Sequence, residues 1–177
     1  MLPPFTDGAA CVVLCSASFR RSRSGGARVA ASVLVSGRGD DLRRPPTVVS
    51  ASREAYELVG AGPEDLDVAE LLDATAFVEL YAYERIGLCR PNETERMIRE
   101  RATWLGGRLP VNPSGGLLSR GHPLGATGLA QVVELAWQLE GRCGARQVPS
   151  ARLALAHCVG GWIGSDVGTC CVHILQR

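Results

Sequence analysis

The stretch "NPSGGLLSRGHPLGATG", residues 112–128, decides how the rest of the chain is read. It carries five glycines, two prolines and one histidine in seventeen residues. One turn needs one or two such residues, so this segment folds back on itself more than once. His122 stands between Gly121 and Pro123, where the chain cannot continue as a regular helix or strand.

The sixteen residues that follow the histidine's loop, "LGATGLAQVVELAWQL" at 124–139, predict a helix. Its polar side chains are Thr127, Gln131, Glu134 and Gln138, spaced so that they form one narrow stripe. A helix that is apolar over most of its circumference is expected to be buried on most sides, between two layers. Its first turn presents unpaired N–H groups and a partial positive charge, with His122 just ahead of it.

Composition bounds the chemistry. The chain has 177 residues, 46% of them apolar and 5% aromatic, with a formal net charge of +1. That is one domain with a proper core, or slightly more. Neither charge nor aromatic content points to nucleic acid. Seven cysteines in irregular spacing, with no CxxC, are expected to be reduced thiols in a cytoplasmic protein and not a disulfide framework or metal site. No apolar run reaches the roughly 18 residues of a membrane span. "FRRSR" follows "ACVVLC", the reverse of a signal peptide. "RRSRSGG" at 20–26 reads as a solvated loop.

Working outward, "GAACVVLC" at 8–15 and "ARVAASVLVS" at 27–36 predict strands. Residues 47–59 fit an amphipathic helix stopped by "GAGP". A short strand falls at Val68–Leu71, followed by a helix that Asp73 or Thr75 could cap and that ends at Gly87. "PNETERMIRERATWL" predicts a further helix with Asn92 and Thr94 as candidate caps. "SGGLLS" is expected to be a short strand. Two apolar strands, "ARLALAHCV" and "GTCCVHIL", close the chain. Strands alternating with helices, then a terminal pair of strands, define an α/β layered fold.

These segments together resemble the C-terminal half of the thiolase superfamily. "NPSGGLLSRGHPLGATG" is similar to its histidine signature and "HCVGGWIG" to its closing Cys-x-Gly loop. "DGAACVVLCS" resembles the last strand of the family's N-terminal half. "LDVAELLDATAFVELYAYERIGLC" resembles the segment that carries an Asn-Glu or His-Asp-Cys-Phe motif. "GLAQVVELAWQLEGRCGARQV" is closest to the sterol carrier protein-type, or lipid-transfer-type, thiolases. The resemblance implies a mixed five-stranded sheet flanked by helices. Residues 1–20 would be a remnant of the other half's last strand, and 21–177 the C-terminal domain.

It also implies thioester chemistry. In the family a nucleophilic cysteine takes an acyl group, a histidine activates it and a second cysteine moves the α-carbon proton. His122 matches that histidine and Cys158 the second cysteine. Asn112, Gly160 and Gly161 would contact substrate, the glycines through backbone N–H groups. His157 is expected to point away from Cys158 and to be structural. The family's nucleophile precedes the matching region; Cys11 and Cys15 do not replace it. The motif position of His-Asp-Cys-Phe reads Leu72-Asp73-Ala74-Thr75, so one hydrogen-bonding side chain and one thiol are missing there.

Three readings follow. The chain is part of an acyltransferase acting on acyl-CoA by thiolysis, condensation or retro-aldol cleavage in lipid or sterol metabolism, inactive alone. Or it is a non-catalytic binding or assembly subunit. Or it is a truncated gene product, beginning in mid-fold. Coenzyme A would enter as part of substrate or product, with no other cofactor. The apolar helix, lacking the first half, is expected to need cover: another copy, a complementing thiolase chain, or an OB-fold chain.

Overall fold

The computed structural model describes residues 1–20 and 25–177. The basic loop expected at 20–26 therefore lies largely outside the described residues. A four-residue helix, α1 (Ala17–Arg20), precedes the gap. The chain then forms β1 (Arg28–Ser36), α2 (Thr47–Val59), β2 (Val68–Leu71), α3 (Ala76–Ile86), α4 (Thr94–Arg99), α5 (Gly116–Arg120), α6 (Thr127–Glu140), β3 (Leu153–Ile163) and β4 (Asp166–Gln176). The four strands make one mixed sheet in the order β1-β4-β3-β2. β4 runs antiparallel to both neighbours, and β2 runs parallel to β3.

The sheet has four strands where five are expected. The expected strand absent from the sheet is "SGGLLS", which is helical; residues 8–15, the expected remnant of the other half, form no ladder and lie largely exposed, Val13 at 90%. The edges of the sheet are β1 and β2; this segment pairs with neither, and its Cys11–Cys15 part lines a groove together with α6 and the start of β1.

Layering follows the strand alternation. On β1, Ala31 and Val33 are buried beneath α2, while Ser32 and Leu34 face outward. The larger core lies on that side, where α2 covers β1 and β4, and α3 lies against α2. The smaller core lies on the opposite side, where Val68, Ala154, Ala156 and Leu175 meet Leu135 and Leu139 of α6. β2 and the first half of β3 are buried on both faces, which is why they read as continuous apolar runs.

Local chemistry ends most elements where the residues predict. Thr75 Oγ1 accepts the Val78 N–H at 3.0 Å and caps α3, and Gly87 closes it in the left-handed region. Asp166 caps α2 from the start of β4, accepting Thr47 N–H at 2.9 Å and Thr47 Oγ1–H at 2.7 Å. The Arg38 guanidinium joins at 3.1 Å. Burial opposes ionisation of Asp166, but these donors outweigh it and hold its carboxyl below the usual range.

Two elements differ from expectation. α4 covers only Thr94–Arg99, and neither Asn92 nor Thr94 caps it. Asn92 sits at positive φ and gives its N–H to Glu84, and Thr94 Oγ1–H goes to the same carboxylate at 3.0 Å. "SGGLLS" turns into helix α5 instead of a strand, because Gly115 and Gly116 both take positive φ and Asp73 binds the first free amides of the turn.

The helix after the histidine also faces differently. Thr127, Gln131, Glu134 and Gln138 point inward, each no more than 3% exposed, and its outward face is apolar, with Leu129 and Trp137 exposed. The stripe is inward because backbone and loop groups need partners there. Gln131 Nε2 donates to His157 O, and Gln138 Oε1 accepts Val148 N–H at 2.8 Å. Glu134 takes Arg146 in a two-pronged ion pair at 3.0 to 3.2 Å. Among the described residues no second layer buries the outer face of α6, along which only the N-terminal segment runs. Among the described residues no helix is long and apolar enough to cross a membrane.

Candidate functional site at the start of α6

The site is built where the 112–128 loop meets the first turn of α6. His122 is held by its backbone first. Its N–H donates to Pro4 O at 2.9 Å and its carbonyl accepts the Thr6 N–H, a parallel bridge centred on Phe5. The Phe5 ring stacks on the imidazole with centroids 6.0 Å apart.

The imidazole is oriented by Thr127. His122 Nδ1 lies 3.0 Å from Thr127 Oγ1, and that hydroxyl lies 3.0 Å from Pro123 O. A carbonyl can only accept, so the hydroxyl hydrogen goes to Pro123. Thr127 Oγ1 is then the acceptor for Nδ1–H. In the neutral ring Nε2 is then the acceptor.

Cys158 comes to the same place from below. It lies on the face of β3 that α6 covers, and a Cβ built on Gly128 would sit 3.7 Å from its Sγ. Gly128 directly follows Thr127, so the residue that holds His122 and the residue that lies over Cys158 are consecutive in α6. Burial pushes the Cys158 thiol up to about 11, with Cys171, its cross-strand neighbour, adding to the shift. At neutral pH the thiol is protonated and is a proton donor, not a resting thiolate.

The other expected contacts are placed less centrally. Asn112 sits at positive φ beside β2, with Oδ1 accepting the Leu71 N–H at 2.7 Å. Its oxygen is committed to the strand. Gly160 and Gly161 lie past Cys158, exposed on the projecting hairpin, Gly161 at φ 62°. His157 is 1% exposed on the opposite face of β3, as the alternation predicts, and burial lowers it to about 4. Leu72 is buried and supplies only its backbone N–H, to His157 O. Cys11 and Cys15 lie along the outer face of α6, lining a groove of about 680 Å³ with Val132, Val133, Ala136 and Trp137.

Two carboxylates stand out: Glu70, which motif reading passes over, and Asp73, a candidate cap for α3 that instead serves the 112–128 loop. Glu70, fully buried on β2, accepts the N–H of Ser114 at 3.0 Å and its hydroxyl at 2.7 Å. Asp73 accepts the N–H groups of Leu117 and Leu118 at 2.8 and 3.1 Å. An acidic residue within a short apolar strand is the signal that marks Glu70 in the sequence.

Comparisons with known proteins place the fold that carries this helix and loop. Residues 30–177 match the thiolase C-terminal domain-like family, and the chain belongs to it. It is 38% identical to an acetyl-CoA acetyltransferase of Methanothermobacter thermautotrophicus over 98% of this chain and 46% of that protein. It is 39% identical to sterol carrier protein 2 of Rattus norvegicus over 89% of this chain and 31% of that one. The chain thus spans a third to a half of the length of these relatives. The solved Ltp2-ChsH2(DUF35) aldolase shares the fold, with a TM-score of 0.76 at 20% identity, over 91% of this chain and 42% of that chain.

Proposed function

We propose that the chain is the histidine-bearing part of a thiolase-like acyltransferase that acts on acyl-CoA thioesters and is completed by another chain. The observation that carries this reading is the hydrogen-bond relay Pro123–Thr127–His122. It leaves Nε2 of the neutral ring as the acceptor, at the helix turn whose next residue, Gly128, lies over the protonated thiol of Cys158.

The division of labour follows from the two groups. His122 Nε2 takes the proton from a nucleophilic thiol supplied by the complementing chain, and as Nε2–H it then steadies the thioester oxygen. Cys158 holds its proton firmly, so it is suited to protonate the α-carbon as a carbon–carbon bond breaks. The same group gives its proton in cleavage, by thiolysis or by retro-aldol reaction, and as thiolate takes it back in condensation, so it serves either direction. Asn112, Gly160 and Gly161 are proposed to border the substrate.

The outward face of α6 supports the need for a second chain or copy. Leu129 is 41% and Trp137 37% exposed there, and Trp137 shares a groove with Val13 and Leu14 of the N-terminal segment. Apolar surface of this kind is seldom left uncovered. A monodisperse, non-aggregating monomer in light scattering would remove this part of the reading.

Turnover tests the rest. With a complementing chain present, His122→Ala is expected to lower cleavage of a 3-oxoacyl-CoA at least 100-fold. Unchanged turnover would overturn the catalytic reading. The second reading, a non-catalytic assembly subunit, is favoured by Leu72 and Ala74, which supply neither a hydrogen bond nor a thiol at the motif position. It predicts full binding to the complementing chain and indifference to His122→Ala.

A further inference from the structure

The turn that delivers His122 is held from beneath by two carboxylates three residues apart on one strand and its exit. Glu70 grips Ser114 through both its amide and its hydroxyl, and Ser114 Oγ accepts the Gly116 N–H at 3.2 Å. Asp73 grips Leu117 and Leu118. Leu117 is then held on its other side as well, because its carbonyl accepts the Gly121 N–H at 2.8 Å. Gly121 is bonded directly to His122. A continuous line of contacts therefore runs from β2 to the backbone of the histidine.

We infer that Glu70 is a positioning residue for His122, acting with Asp73 through the Ser114–Gly121 turn by the shape of its two-point hydrogen bond and not by its charge. This deepens the reading of His122 as the working base and rests on it.

The contact geometry supports shape over charge. Glu70 is fully buried on a strand, and among the described residues it has no ion-pair partner in hydrogen-bonding reach. Burial pushes its carboxyl up to about 7; Ser114 and, at longer range, Arg120 work against the shift, and Glu134 adds to it. Both protonation states are thus populated near neutrality, and both can keep Ser114. The carboxylate accepts twice. The carboxylic acid accepts the Ser114 amide and donates to Ser114 Oγ. A glutamine makes the second pattern permanently, since its carbonyl accepts and its NH₂ donates. A methionine of similar length makes neither.

The test uses the 177-residue chain labelled with ¹⁵N, with the histidine tautomers read from long-range ¹H–¹⁵N couplings and amide exchange followed by NMR. Wild type and Glu70→Gln are expected to show His122 as the Nδ1–H tautomer. Glu70→Met is expected to show a tautomer mixture and at least tenfold faster exchange at Gly116, Leu117 and Leu118. His173, two strands away on β4, and the β4 amides are expected to stay as in wild type. If Glu70→Met leaves His122 and those amides unchanged, the inference fails. If His173 and the β4 amides change in step with His122, Glu70 serves the whole fold and the inference also fails. Should Glu70→Met not fold, Ser114→Ala removes the hydroxyl contact with the carboxyl in place. The same changes confined to the turn support the inference, and their absence overturns it. None of these readouts needs turnover. A silent His122→Ala in the catalytic assay would therefore remove the function of the site without touching the result on Glu70.

Discussion

His122 Nδ1 lies 3.0 Å from Thr127 Oγ1, five residues ahead, and this one contact chooses the tautomer of the site. The loop that brings the imidazole and the helix that orients it are consecutive in sequence. Loop and helix start are thus a single unit, and the acceptor nitrogen Nε2 is its product.

Thr127→Val, which keeps the shape and removes the hydroxyl, is expected to free the ring to exchange tautomers. Turnover by the completed enzyme should fall about tenfold, in line with loss of one hydrogen bond of ~1.4 kcal/mol. Thr127→Ser should retain most of it. The kcat of the three proteins, compared at saturating substrate, checks this.

Gly116 is expected to reject a side chain. Its φ is +61°, and a Cβ there would enter the Asp73 carboxylate. Gly116→Ala should cost more than about 2 kcal/mol, from backbone strain and loss of the Asp73 contacts together. Gly106→Ala is the control: φ is +87° but nothing lies within 4 Å of the added carbon, so only about 1 kcal/mol of strain is expected. Urea denaturation of both variants separates the two costs.

His157 should make the fold acid-sensitive. Buried, it titrates at about 4, against 6.5 in the unfolded chain. The unfolded state therefore binds more protons between these values. The contribution is fully present above pH 6.5 and is lost as pH falls toward 4, on the order of 3 kcal/mol in all. His157→Leu is expected to show a flatter Tm between pH 7 and pH 5 than wild type.

Glu70 acts with the opposite sign. Its folded value of about 7 lies above 4.5, so stability from this group is present below pH 4.5 and is lost as pH rises through 7. Glu70→Gln should gain on wild type as pH rises, by on the order of 2–3 kcal/mol at pH 8, and show no gain at pH 4.5. Denaturation curves of the two proteins at these pH values measure it.

The outward face of α6 predicts a separation of folding from association. Trp137 and Leu129 are 37% and 41% exposed, so Trp137→Glu with Leu129→Lys should shift Tm by only a few degrees. The same pair is expected to weaken binding to a complementing chain or a second copy at least tenfold. Light scattering of wild type and variant across a dilution series reads this directly.

Much of this architecture is legible in the residues because it depends on neighbours in sequence. Apolar alternation places β1, Thr75 and Gly87 bound α3, and the run from Val48 to Val59 makes α2. The glycines and prolines around His122 mark the loop, and the small residues after it mark the start of α6. Cys158 is found by its glycines, and His157 is turned away from it by strand alternation alone.

What only the tertiary structure decides is where each periodic segment finds partners. Residues 8–15 have the pattern of a strand, but in the folded chain they pair with neither sheet edge and line a groove with α6 and the start of β1. "SGGLLS" has the look of a strand until Asp73, forty-odd residues earlier, supplies the carboxylate that turns it into α5. The stripe on α6 shows that four polar residues share one side; it does not show whether water or protein satisfies them. The loop at Arg146–Val148 and the backbone of β3 settle that it is protein, leaving apolar residues outside. Periodicity is written into the chain because it follows from the geometry of one helix or strand. Direction, pairing and the satisfaction of buried polar groups depend on residues far apart in sequence, and only the folded chain brings them within 3 Å.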